Sequence, residues 1–376
     1  MKHLKLAALA ATALFAAPAL AAPTYTLTDI GDLAGGFDYS TASGINIHGQ
    51  VVGGSSTVSS SGATVNRAFV WTNGVMTELP RAPGAGNTFG DAAFGINDSG
   101  QIVGNMNGPA VIWQNGSFTP LNPSGPSPSA YAINNSGQVA SYAGVPGGNV
   151  AARWENGVAT AFADIPGGPT SSTGAAINNH GVVAGRGTDA AGNSNAAIFT
   201  AAGQATSLGD LPGGGFASSA QGINDAGHVV GWGSAATGSR AFLWVNGVMT
   251  DLGDLAGGAN SSTAYDINNA GRIVGTGYDA MGSQALMWFE SQIFSLASLV
   301  SNLGGWRLTH ATALNERGQI VGYGQFNGNT RAFLLTPDEF DVDPSTAVPE
   351  PAALTLFGLG IVGLGLRRRR RKAATN

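Results

Sequence analysis

Short apolar runs separated by turns fill most of this chain, and one run keeps returning. It reads as a small residue, a free position, a second small residue, Ile or Leu, Asn, two free positions, Gly, a free position and two short apolar residues. Its asparagines are Asn46, Asn97, Asn134, Asn178, Asn224, Asn268 and Asn315, and its glycines Gly49, Gly100, Gly137, Gly181, Gly227, Gly271 and Gly318. The spacing averages about 45 residues, the period of a four-stranded propeller blade. A second landmark is an apolar strand ending at Trp71, Trp113, Trp154, Phe199, Trp244, Trp288 or Leu335. A turn such as Asn73-Gly74 or Asn246-Gly247 follows, then a strand like Met249-Thr250-Asp251-Leu252 and a Gly-Gly pair. Each repeat therefore predicts four strands, a to d.

Turn chemistry accounts for the conserved spacing within a repeat. The asparagine folds back on its own backbone as an Asx-turn, and the glycine supplies the left-handed residue that closes a short hairpin. Strict alternation along strand a places Ala264, Asp266 and Asn268 on one face and Tyr265 and Ile267 on the other. The last repeat lacks a strand d. Tyr25–Ile30 precedes the first strand a and matches a strand d: Thr28-Asp29-Ile30-Gly31-Asp32-Leu33 parallels Thr250-Asp251-Leu252-Gly253-Asp254-Leu255. The expected fold is an all-β seven-bladed propeller of four-stranded blades, closed by its N-terminal strand. An open β-solenoid is the alternative.

The ends differ from the body. In residues 1–21, Lys2 and Lys5 precede an apolar run, and Ala19 and Ala21 frame a small-x-small cleavage site, so signal peptidase is an expected partner. Residues 22–337 form the repeat domain and 338–347 a polar linker. Residues 348–376 hold Pro349-Glu350-Pro351, the apolar stretch Ala352 to Leu366, and Arg367, Arg368, Arg369, Arg370 and Arg371. Fifteen residues span about 22 Å as a helix, short of the roughly 30 Å hydrocarbon core. The expectation is a short transmembrane helix whose basic flank stays cytoplasmic.

This tail resembles the PEP-CTERM sorting signal, with Pro349, Glu350 and Pro351 matching its motif. The resemblance implies export across the inner membrane of a Gram-negative bacterium, processing by an exosortase, and delivery to the cell surface or extracellular matrix, often alongside exopolysaccharide. Over residues 24–336 the repeats resemble the HAF family of extracellular repeats, as at Gly222-Ile223-Asn224-Asp225-Ala226-Gly227 and Ala241-Phe242-Leu243-Trp244. That family implies location more than chemistry.

Composition narrows the function. The region between the terminal basic clusters carries nine Arg, no Lys and 22 acids, a balance of 9 − 22 = −13. Such a body repels phosphate backbones, which disfavours nucleic acid. Without cysteine there are no disulfides or thiolate sites. His48 and His180 share one turn position, His228 follows a turn glycine, and His310 stands alone. Asp32, Asp210 and Asp254 recur in Gly-Asp-Leu, with Asp164 in the related Ala-Asp-Ile, favouring structural hydrogen bonds over calcium. Asp189 and Asp279 share an Asp-Ala-x-Gly turn. No catalytic, cofactor or metal residue stands out.

In this strand order the a–b and c–d turns share one face of the ring, and the longer b–c and d–a connections share the other. Variable loops on a rigid scaffold are where ligands usually bind. Phe37, Tyr39, Phe89, Phe216 and Trp306 fall on that second face, where apolar rings could stack on sugars or simply plug gaps between blades. The sequence thus predicts a non-catalytic exported surface protein that contacts exopolysaccharide or another surface polymer. A carbohydrate-active hydrolase or lyase on the same face, and a calcium-stiffened scaffold, are the alternatives.

Overall fold

The computed structural model describes residues 23–83, 90–122, 129–200, 205–215 and 217–338. All described residues belong to one compact unit. They form seven antiparallel four-stranded sheets, each with its strands in sequence order except the last. Strand a of blades 1 to 7 spans Gly35–Ile45, Asp91–Ile96, Ala132–Ile133, Ser172–Ile177, Ser218–Ile223, Ser262–Ile267 and Trp306–Leu314. The seventh sheet takes its fourth strand from the other end of the body. Tyr25–Gly31 pairs with Asn329–Pro337, Tyr25 opposite Pro337 and Leu27 opposite Leu335. The fold is a seven-bladed propeller closed as the sequence predicts.

The core is divided into interblade layers. Ile45, Phe69 and Trp71 of blade 1 pack on Val321 and Leu334 of blade 7. Val230 of blade 5 packs on Ala264, Ile267 and Trp288 of blade 6. Strict alternation fails along strand a, and the failure is systematic. A register shift falls at Ala42/Gly44, Ala93/Gly95, Gly174/Ala176, Ala220/Gly222, Ala264/Asp266 and Ala311/Ala313. Each shift is a bulge with one extra residue on strand a. Ala264 and Ile267 consequently share the interblade layer, while Tyr265 is squeezed out of the ladder. The extruded residues Ser43, Phe94, Ala175, Gln221, Tyr265 and Thr312 line an axial cavity.

Glycine next to the bulge lets neighbouring strands a touch. A Cβ on Gly222 would lie 2.9 Å from the carbonyl of Tyr265 and 3.0 Å from the Cα of Asp266, in the next blade.

Polar staples join neighbouring blades at both ends of strand a, for blades 1, 5 and 6 at one end and around the whole ring at the other. At one end Ser40, Ser218 and Ser262 donate to the carbonyls of Gly31, Gly209 and Gly253 in the preceding blade, at 2.6–2.7 Å. The same hydroxyls accept from the N–H groups of Ala332, Ala196 and Ala241 at 2.8–3.0 Å. At the other end the seven motif asparagines form a closed belt. Each Nδ2 donates to the backbone carbonyl of the next: Asn46 to Asn97, Asn97 to Asn134, Asn134 to Asn178, Asn178 to Asn224, Asn224 to Asn268, Asn268 to Asn315, and Asn315 back to Asn46, at 2.9–3.3 Å.

Candidate functional site

Two concavities have the composition of a site, and their chemistry differs. The first lies on the propeller axis at the a–b turns. It measures about 210 Å³ and is lined by the belt asparagines and the residues after them, among them Asp98, Asn135, Asn179, Asp225, Asn269 and Glu316. Its polar atoms are already occupied. Asp98, Asn135, Asn179, Asp225, Asn269 and Glu316 each accept the N–H of the preceding blade's equivalent residue, at 2.8–3.2 Å. Asp225 also accepts the side-chain amides of Asn179 and Asn269 at 3.0 and 3.1 Å. Burial pushes its carboxyl up, but these donors outweigh that and hold it below the usual range. Burial lifts Glu316, and the charges of Asp225 and Asp98 add to the effect. The basin reads as the structural hub of the ring.

Asp266 sits in the wall between this basin and the aromatic part of the axial cavity. It replaces the Gly or Ala that precedes Ile or Leu in the other repeats. Its carboxylate accepts the N–H of Ile267 at 2.9 Å and of Leu314, in blade 7, at 3.0 Å. Burial dominates those bonds and raises its pKa to about 7. A folded pKa above the unfolded 3.8 means stability that is full below about pH 4 and lost as pH rises through about 7. The wild-type melting temperature should therefore gain on that of Asp266→Asn as pH is lowered from 8 to 4. Asp266 keeps some accessible surface, which limits the change to about 2 kcal/mol. Parallel pH–melting curves for the two proteins would contradict it.

The second concavity is a groove of about 710 Å³ on the opposite face, where blades 7, 1 and 2 meet. Its lining joins Phe37, Asp38 and Tyr39 to Ser56, Thr64, Val65, Asn66 and Gly90, and to the b–c hairpin tip Gly328, Asn329 and Thr330. The groove exists because strand a of blade 1 leaves its ladder. Gly35 opposes Thr57 and Ser40 opposes Ser55, so residues 36–39 stand against Ser56 alone. Gly36 makes that loop possible: a Cβ there would lie 2.4 Å from backbone atoms of Ser56 and Thr57. Ser56 Oγ accepts the Phe37 N–H at 3.2 Å. Asn329 Nδ2 donates to Asp38 at 3.0 Å, and Arg331 donates to the same carboxylate. The displaced loop presents Phe37, 72% exposed, and Tyr39, 36% exposed.

The other sequence candidates separate cleanly. Trp306 is not on a ligand face. It is 7% exposed, its ring stacks on Phe326 at 5.1 Å, and Phe333 meets it edge-on at 6.2 Å. The reason is ladder registry: Trp306 pairs with Phe326 and Arg307 with Gln325, so the chain after Gly305 stays in the sheet. Phe89 and Phe216 lie outside the described residues, as do Ala19, Ala21, Pro349, Glu350, Pro351 and the arginines 367–371. His310 stacks on Tyr323 at 4.4 Å, and burial lowers its pKa. Of the Gly-Asp-Leu aspartates, Asp254 meets Arg240 at 3.1 Å and Asp32 meets Arg331 at 3.5 Å, burial lifts the Asp210 carboxyl against a hydrogen bond from Ser218, and the related Asp164 accepts from Ser172. Asp189 and Asp279 close their own turns, accepting from Ala191 and Met281. Among the described residues no group of three or more His, Asp or Glu is placed to hold a metal, and no helix is long and apolar enough to cross a membrane.

Comparison with known proteins adds an address. Residues 347–371 match the PEP-CTERM protein-sorting motif. The chain carries an exosortase sorting signal. It is thereby marked as an exported surface protein of the Gram-negative type, processed by exosortase. No curated protein matches the chain. Similar solved structures include a gluconolactonase of Xanthomonas campestris (10% identity, TM-score 0.39, covering 64% of this chain and 82% of that one). TolB of Acinetobacter baumannii aligns at 11% identity and TM-score 0.41, over 76% of this chain and 80% of its own. Trypanosoma rangeli sialidase aligns at 11% and 0.41, over 84% of this chain and 60% of its own. Likeness at this level assigns neither ligand nor activity.

Proposed function

We propose that this protein is a non-catalytic surface or matrix component, built from HAF-like repeats, that holds an extracellular polysaccharide in the groove formed by blades 7, 1 and 2. The observation that carries this reading is Phe37. A phenyl ring 72% exposed, held out by a loop that costs four residues of strand pairing, has no role in the core. An exposed ring beside hydroxyls and amides matches the two surfaces of a sugar, one apolar and one polar. Ser56, Thr64, Asn66, Asn329 and Thr330 supply the polar side. The volume lies in the range of small-molecule sites, and the groove is open enough to leave a longer chain running past it.

A glycosidase would need two carboxylates about 5–10 Å apart across the bound sugar. One carboxylate, Asp38, lines the groove, and it is tied to Arg331 and Asn329. That favours holding a polymer over cutting it.

The test is binding of the detergent-solubilised full chain to an oligosaccharide array, repeated with Phe37→Ala. The ring is solvent-exposed, so its loss should change stability by less than about 0.5 kcal/mol. Affinity should fall about tenfold or more, as expected for an aromatic anchor. Absence of binding to every polymer, or full binding by the variant, overturns the proposal.

A further inference from the structure

We infer that the groove selects polysaccharides bearing free amino groups over neutral and acidic ones. This deepens the polysaccharide-binding reading above and rests on it. Among the described residues Asp38 is the one charged residue in the groove lining. Behind it a single guanidinium serves three carboxylates. Arg331 meets Asp29 at 3.2 Å and Asp32 at 3.5 Å, and it donates to Asp38. One positive charge against three negative ones leaves a surplus of two negative charges when all are ionised. The surplus faces outward: the side chain of Arg331 is 15% exposed, against 40% for Asp38 and 34% for Asp29. Burial lifts the Asp32 carboxyl, and Asp38 and Asp29 add repulsion against the pull of Arg331.

Among the described residues no arginine lines the groove. Arg67 donates to the carbonyl of the lining residue Asn66 at 3.1 Å, but it is buried and its charge is met by Glu78 at 3.2 Å and Asp91 at 3.8 Å. The rest of the lining is neutral. Uronate, sulfate or phosphate groups would meet net negative charge and no cation among the described lining residues. A protonated sugar amine would meet an exposed carboxylate beside the faces of Phe37 and Tyr39, and both attract an ammonium group. The strongly acidic body acts in the same direction at longer range.

The full chain is titrated with three oligomers of equal length, at a pH where sugar amines are protonated: glucosamine, N-acetylglucosamine and galacturonate. The glucosamine oligomer should bind about five- to tenfold tighter than its acetylated form. High salt should shrink that preference, because the charges are exposed. Galacturonate should bind weakest. Asp38→Asn should cut the preference for glucosamine over N-acetylglucosamine several-fold, whatever it does to the affinity for either oligomer alone. If Asp38→Asn loosens the loop, Asp29→Asn removes one charge outside the lining and should lower the preference in the same direction. Equal binding of the two hexosamine oligomers, or tightest binding of galacturonate, overturns the inference while the polymer-binding reading stands. Binding of none of the three, or glucosamine binding untouched by Phe37→Ala, overturns both.

Discussion

Replacing residues 25–30 with a Gly-Ser segment of equal length should lower the melting temperature by on the order of 10 °C. That segment is the fourth strand of the seventh blade and, among the described residues, the only strand that crosses from the start of the body to its end. Tyr25 and Ile30 are 1% and 4% exposed, and losing them removes about 2 kcal/mol each. The strand's ladder bonds contribute roughly 1 kcal/mol apiece. The loss of roughly 6–8 kcal/mol rivals the total stability of a typical domain. It falls on blade 7: Tyr25 packs on Met287 of blade 6, and Ile30 lies at the junction with blade 1. Hydrogen exchange should therefore rise first in Asn329–Pro337, which would lose its pairing partner. An unchanged melting temperature, with those amides still protected, would show that the ring does not depend on this strand.

The same junction forms the proposed groove, so closure and site are coupled. Asp38 reaches from blade 1 to Asn329 and Arg331 on blade 7, and Arg331 also holds Asp29 on the closing strand. A ring that opens there would lose the groove before it lost the other blades.

Ring closure was legible because it rests on a count: seven a–b–c units and a spare strand d at the other end. The bulges were less so. Alternation assumes a regular ladder, and the extra residue in strand a reverses which residues share a face. A signal was nevertheless present in Gly44, Gly95 and Gly222, since glycine inside a strand often marks a bulge or a close backbone approach. At the site, Phe37 and Trp306 both follow a Gly-Gly pair and look alike in sequence. What separates them is long-range. Trp306 has Phe326 opposite it in the ladder, whereas Phe37 lies in a loop pushed out of its ladder. Local pattern carries no record of that difference.

The asparagine belt was half visible. An Asx-turn accounts for the Oδ1 atom, which accepts the N–H groups two and four residues on. It does not account for seven asparagines without one aspartate, because aspartate forms such turns equally well. The next position shows the contrast. Asp98, Asn135, Asn179, Asp225, Asn269 and Glu316 interchange freely, since each is required to accept an N–H from the neighbouring blade. An invariant amide beside an interchangeable acceptor was the sign that the NH2 group has its own task.

That task makes Asn315→Asp the most damaging single substitution expected in the ring. Asn315 is 6% exposed. Its Nδ2 donates to Gln319 Oε1 at 2.8 Å and to the Asn46 carbonyl at 2.9 Å, the link that joins blade 7 to blade 1. Aspartate keeps the turn but points a charged oxygen at two acceptors with no proton between them. An unpaired buried charge costs about 3–5 kcal/mol. Burial would raise the new carboxyl's folded pKa above its unfolded value. Stability would then be present at low pH and lost as pH rises, so the melting gap to wild type should be narrow near pH 4 and wide at pH 8. Asp98→Asn is the matched control. Its oxygen can still accept the Ile47 N–H, and its cost should stay within about 1 kcal/mol at neutral pH. Equal losses for the two variants, or a gap for Asn315→Asp that ignores pH, would mean that the amide belt does not hold the blades together.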